Sequence, residues 1–134
     1  MQQTYFMIKP EIAAADSQKI GAILAIANAA GFRITGLQMK QLDRPLIEEF
    51  YGEHKERPFF QDLCDYIAGG PVVAIRLERE NAVAALRELI GATNPAEAAT
   101  GTIRDLFGAS LQNNAVHASA NPEDAARELG LIFG

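Results

Sequence analysis

The stretch from Asn113 to Glu128 reads NNAVHASANPEDAARE and carries His117, one of only two histidines in the chain. An apolar, alternating run delivers that imidazole to a strand end. The three residues after it, Ala118, Ser119 and Ala120, are small and leave one ring edge open to a bulky reactant. In the acid-rich helix that follows, Ala125, Leu129 and Ile132 define an inward stripe, and Glu123 and Arg127 point away. At ~100° per residue, Glu128 falls about 60° from the centre of that stripe, on its border. A carboxylate there either stays a solvated surface group or accepts a bond from one imidazole nitrogen. In the second case it fixes the tautomer and leaves the other nitrogen as a nucleophile. An unperturbed histidine titrates near ~6.5, so that nucleophile is neutral and available at pH 7. The competing reading of His117 is a satisfied, buried histidine at the end of a strand.

The cations Lys9, Arg87 and Arg104 are either ordinary surface charges or parts of a phosphate cradle completed by Thr93, Asn114 and loop amides. Arginine offers planar paired donors to phosphate oxygens, and lysine a point charge. In FYGEHKERPFFQDL, the residues Phe60, Leu63, Cys64 and Ile67 share a core face, and Phe59 falls about 100° from Phe60. An exposed Phe59 beside Leu63 serves either as a packing patch for another subunit or as a flat platform for a base. His54, in the polar tip EHKER, reads as solvent-exposed. No GxxxxGK[ST] or GxGxxG loop is present, and no metal-ligand spacing. Any metal would arrive with phosphates, as Mg²⁺ does.

These side chains need a scaffold. TYFMIK (residues 4–9) reads as a strand stopped by Pro10, and PEIAAADS as a polar connector. Ile20, Ile23, Leu24, Ala27 and Ala30 recur at helical spacing until Gly31 ends them. FRITGLQMK (32–40) reads as a second strand. Helices are expected over 46–53 and 58–67, the latter with Pro58 in its first turn. A third strand covers 72–78, and Val83, Leu86, Leu89 and Ile90 mark a helix closed by Gly91. GATNPAEAATGTIRDLFGAS lacks periodicity and reads as a long functional loop. NNAVH is the fourth strand, and Asn121 with Pro122 starts a last helix over 122–132. This order suits an α+β, ferredoxin-like βαββαβ sandwich, a four-stranded antiparallel sheet with helices packed on one face.

With 134 residues, 49% of them apolar, the chain is sized for one domain (1–134) with a real core. A net charge of -5 argues against nucleic acid or an anionic membrane as the main partner, so cations for an anionic ligand must be gathered locally. Cys64 is the only cysteine, which excludes an internal disulfide and suits a core position in a reduced, cytoplasmic setting.

NNAVHAS resembles the active-site signature of nucleoside diphosphate kinases, an Asn, two apolar residues and then His-Gly-Ser-Asp. MIKP, FYGEHKERPFF, GGPVVAIRLE, ENAV, GATNP, GTIR and PEDAARELGLIF follow in the family's order, so the likeness spans essentially the whole chain. It implies a ping-pong reaction in which the γ-phosphoryl of a nucleoside triphosphate passes through a phosphohistidine to a nucleoside diphosphate. By resemblance His117 is the nucleophile, Glu128 orients it and Ser119 joins its hydrogen-bond network. Lys9, Tyr51, Arg87, Thr93, Arg104 and Asn114 fall on phosphate and sugar positions. Phe59 falls on the base-stacking position beside Leu63 and Leu111, and Mg²⁺ bridges the phosphates with little help from the protein. Nucleoside di- and triphosphates are the implied partners. A homo-oligomer built from dimers, tetrameric or hexameric, is also implied, with Phe6, Phe32 and Ile34 as interface candidates that core burial explains equally well. Departures are HASA for the usual His-Gly-Ser-Asp, where Ala118 is excluded if that position needs φ > 0, and Leu106 for the aspartate usual two residues after Arg104. They leave an alternative: a nucleotide-binding regulatory relative with little or no turnover. A ferredoxin-like module with no nucleotide site is the third reading.

Overall fold

The first strand, β1 (Gln2–Ile8), is buried from Thr4 to Ile8 whichever way its side chains point. A run without polar alternation is what a strand covered on both faces requires. The computed structural model, which describes residues 1–134, bears this out. Phe6 and Ile8 enter one core, and Tyr5 and Met7 a second on the opposite side of the sheet. Helices therefore cover both faces, not one as the element order had suggested.

β1 lies at the centre of a four-stranded sheet of order β2-β3-β1-β4, with β2 spanning Arg33–Lys40, β3 Val72–Arg79 and β4 Val116–Ala118. Every neighbouring pair is antiparallel. The first core is closed by α1 (Pro10–Ala13), α2 (Ile20–Ala29), α5 (Ala82–Ile90) and α6 (Ile103–Phe107). The second is closed by α3 (Arg44–Phe50), α4 (Phe60–Ala68) and α7 (Pro122–Phe133). Cys64 lies in the second core, fully buried.

Several expectations change in detail. The PEIAAADS connector is partly helical, because Pro10 starts α1 and its Ile12 and Ala13 are buried. Pro58 precedes α4 instead of lying in its first turn. The segment read as one long loop contains a 3-10 turn, Pro95–Glu97, and the five-residue α6. Asn94 caps the first by accepting from Ala96 N, and Thr102 caps the second by accepting from Asp105 N. Phe6 and Phe32 are core residues with almost no exposed surface, so neither is free for a subunit interface.

Candidate active site

Antiparallel partners share a face, and β4 pairs His117 with Met7. The imidazole consequently projects toward the second core, while its neighbours Val116 and Ala118 face the first. There its ring meets Phe50 edge-on at 5.3 Å between centroids, with Tyr5 at 6.0 Å and Tyr51 at 6.4 Å. Ala118 is a strand residue and is not among the two non-glycine residues with positive φ. Its methyl sits across the sheet from the imidazole, so the alanine is neither strained nor in the way.

Asn121 begins α7 as expected, its Oδ1 accepting from Asp124 N at 2.8 Å, with Pro122 at the first helical position. The helix buries Ala125, Glu128 and Ile132 in one stripe. Glu128 is thus inside, only 4% exposed, where spacing alone had put it on a border. Its Oε1 accepts from Ser119 Oγ at 2.7 Å and lies 3.0 Å from His117 Nε2. Burial would push this carboxyl up, but the hydrogen bond and charge of His117, the Ser119 hydroxyl and Arg127 together hold it below its ordinary value. A carboxylate only accepts, so the ring proton belongs on Nε2, and Nδ1 keeps its lone pair with no protein partner.

His117 opens onto a cleft of about 800 Å³. At the near end Lys9 leaves β1 buried, and its Nζ donates to Asn114 Oδ1 at 2.7 Å. Burial lowers the lysine to about 8, with the charge of Glu11 raising it and that of Arg104 lowering it. The Asn114 amide nitrogen donates to Thr93 O at 3.0 Å and Leu111 O at 3.2 Å, joining both walls to the lysine. Arg104 is buried on α6, donating to Gly91 O at 3.1 Å and Val116 O at 3.0 Å, and its Nε has no acceptor. Burial first, then the nearby Arg87, lowers it to about 10.

Gly91 makes this anchor feasible. It has φ +89°, and a Cβ there would lie 2.5 Å from Thr102 Oγ1, so only glycine lets the end of α5 meet the start of α6. At the far end of the cleft Phe59 is 47% exposed and Leu111 62%, and Leu63 completes an apolar slot.

The cleft thus gathers Lys9, Phe59, Leu63, Thr93, Arg104, Leu111, Asn114 and His117. Ser119, Glu128 and Tyr51 support the histidine from behind. Arg87 does not line the cleft: it is exposed and donates to Ala118 O at 3.3 Å, on the same side of the molecule as Arg104. His54, read as solvent-exposed, is instead half-buried in the cleft wall, its ring 5.5 Å from that of Phe59. Asp62, Ser110 and Gln112 also line the cleft without having been singled out. Adjacency in the sequence points to them: Asp62 lies one turn from Phe59, and the other two flank Leu111. Leu106 is exposed, and the neighbouring Asp105 accepts from Gly101 N at 2.9 Å instead of facing the cleft.

The family model for nucleoside diphosphate kinase matches residues 2–134. A nucleoside diphosphate kinase of Deinococcus radiodurans is 50% identical, over 100% of this chain and 96% of its own length. One of Geotalea uraniireducens is 48% identical, over 99% and 96%. Among solved structures, the Aquifex aeolicus nucleoside diphosphate kinase superposes with a TM-score of 0.94 at 40% identity, over 99% of this chain and 95% of that one. The Halobacterium salinarum nucleoside diphosphate kinase in complex with CDP gives 0.91 at 36%, over 98% and 87%. On the strength of a match along its whole length, the chain belongs to the nucleoside diphosphate kinase family.

Proposed function

We propose that this kinase activity runs through His117 Nδ1. The observation that carries the reading is the Ser119–Glu128–His117 chain, which occupies Nε2 and leaves Nδ1 without a partner in a cleft flanked by Lys9 and Arg104. The Nδ1 lone pair attacks the γ-phosphorus of a nucleoside triphosphate, the bond to the β,γ-bridging oxygen breaks, and the nucleoside diphosphate leaves. The ring keeps its Nε2 proton, and the positive charge it acquires faces the Glu128 carboxylate. A second diphosphate then attacks the N–P bond through a terminal oxygen and restores the neutral imidazole. Phosphoryl transfer chiefly needs positioning and charge neutralisation, which Lys9, Arg104 and the neighbouring guanidinium of Arg87 provide together with Thr93 and Asn114.

No group of three His, Cys, Asp or Glu side chains converges to cage a metal. Mg²⁺ would arrive on the nucleotide phosphates, as the family resemblance implies, and would supply charge shielding there. Phe59, Leu63 and Leu111 take the base by its faces, which implies low discrimination among bases. The sheet edge at β2 exposes Leu37 and Met39. An uncapped apolar edge supports assembly with further copies of the chain, and the reaction implies a cytoplasmic setting. The test is labelling with γ-labelled ATP and Mg²⁺. The label should enter one histidine and leave to added GDP, and His117→Ala should take up none while keeping its circular dichroism. Labelling that persists in that variant refutes the assignment.

A further inference from the structure

Immediately before the reactive strand the backbone is strained. Ala115 has φ +77°, one of only two non-glycine residues with positive φ in the chain, and it is fully buried. Val116 N donates to Asn114 O at 3.0 Å across it, closing a three-residue turn of the rarer, left-handed kind. A side chain bearing Cβ resists that conformation, so something must hold it. Lys9 N donates to Ala115 O at 2.9 Å, and Ala115 N donates to Glu11 Oε2 at 3.0 Å. Glu11 is partly buried on α1, the short helix that the sequence had read as a connector. Its other oxygen is buried without a partner.

We propose that Glu11 is a positioning residue for the phosphotransfer centre, clamping the strained turn at Ala115 that sets Asn114 on one side and His117 on the other. The inference rests on the reading above. The turn's two flanks each reach the cleft: Asn114 receives Lys9 Nζ, and His117 lies two residues beyond Ala115. Without the carboxylate, the Ala115 amide would be a buried donor with no acceptor, and the turn would relax toward an ordinary conformation. The same carboxylate opposes the loss of the Lys9 proton that burial and Arg104 promote, while the neutral Asn114 takes the ammonium's hydrogen bond.

Two substitutions separate the effects, because a glycine at 115 accepts positive φ and a glutamine at 11 can still accept from the amide. Phosphoenzyme formation is followed by rapid quench across pH 6–9.5 in Glu11→Ala, Glu11→Gln and the double variant Glu11→Ala/Ala115→Gly. Glu11→Ala should slow formation by roughly tenfold or more, as release of the strained turn at Ala115 implies, and move the alkaline limb to lower pH. Glu11→Gln should keep the rate at neutral pH but share the displaced limb. The double variant should recover most of the rate without recovering the limb. A rate unchanged in Glu11→Ala overturns the proposal, and so does a double variant as slow as the single one. If Glu11→Ala is insoluble, the double variant decides: soluble, labelling-competent protein on adding Ala115→Gly is the result expected, and a double variant equally insoluble overturns the proposal. The unaltered chain is the control: its failure to take up label at all would remove the phosphohistidine reading itself.

Discussion

Glu128→Gln removes one charge and almost no volume. In the resting protein the carboxylate holds Nε2 protonated, and once Nδ1 carries phosphorus the ring's positive charge stands against it, the two heavy atoms being 3.0 Å apart. At an effective dielectric of ~20 and ~4 Å between charge centres, the attraction is about 4 kcal/mol. The His117 side chain is 22% exposed, so solvent screening reduces it, to about half that. Replacing a charged acceptor by a neutral one weakens the hydrogen bonds by about 1 kcal/mol more. Together about 3 kcal/mol corresponds to a ~10²-fold slower phosphorylation. The glutamine can also turn its NH₂ toward Nε2 and favour the unreactive tautomer, an effect of the same sign. Single-turnover transfer from γ-labelled ATP, sampled by rapid quench, measures the rate directly. Glu128 does not line the cleft, so the ATP concentration giving half-maximal rate should hold within about twofold. A rate within threefold of the unaltered chain, or a defect confined to ATP affinity, would refute the electrostatic role given to Glu128.

Other expectations follow from the same geometry. Glu128 has a depressed folded-state pKa, so the stability it contributes is complete above the ordinary carboxylate range and lost as pH falls through the depressed value. The gap in melting temperature between the unaltered chain and Glu128→Gln should therefore narrow on acidification. Lys9 loses its proton as pH rises through about 8, so KM for ATP should climb on that side. ATP binding near that pH should also take up a proton, detectable by calorimetry in buffers of different ionisation enthalpy. Phe59→Ala should leave the melting temperature almost unchanged, because the ring is half exposed, and weaken nucleotide binding by the ~1–3 kcal/mol typical of a stacked base. That loss should be similar for purines and pyrimidines in an equilibrium binding assay. Gly91→Ala meets Thr102 at 2.5 Å with φ +89° and should cost about 2 kcal/mol or more in denaturant unfolding. Phosphotransfer should suffer with it, since Arg104 is anchored on the Gly91 carbonyl.

Signals of long period or strong local chemistry were legible in the sequence. The stripe Ala125 to Ile132, the Asn121–Pro122 start and the first three strands all emerged close to their observed limits, whereas NNAVH begins three residues ahead of β4, because the turn at Ala115 delays the strand to Val116. What escaped was short or tertiary. α1 has four residues and α6 five, too few for a helical period to show, and Pro10 at the start of the first and the Thr102 cap of the second identify them better than their hydrophobicity. The burial of Glu128 was understated because spacing gives an angle, whereas the partners that let a carboxylate go inside come from β4. The two-sided sheet was in principle visible in the unbroken apolar run of β1. His54 escaped because a charged tip reads as solvent-exposed until the cleft wall folds over beside Phe59. The strained Ala115 gave no sign at all, since positive φ is normally announced by glycine and here falls on alanine.

Ala118 has a consequence on the other side of the folding equilibrium. The family resemblance would put glycine there, and glycine roams widely in the denatured chain. In β4 the backbone at 118 is extended and its methyl is fully packed. An alanine compatible with its native dihedrals narrows the disordered ensemble, which favours the ordered strand by roughly 0.4–1 kcal/mol. The residue that looked like a blemish in the signature therefore makes the short segment presenting the imidazole less entropically costly to order.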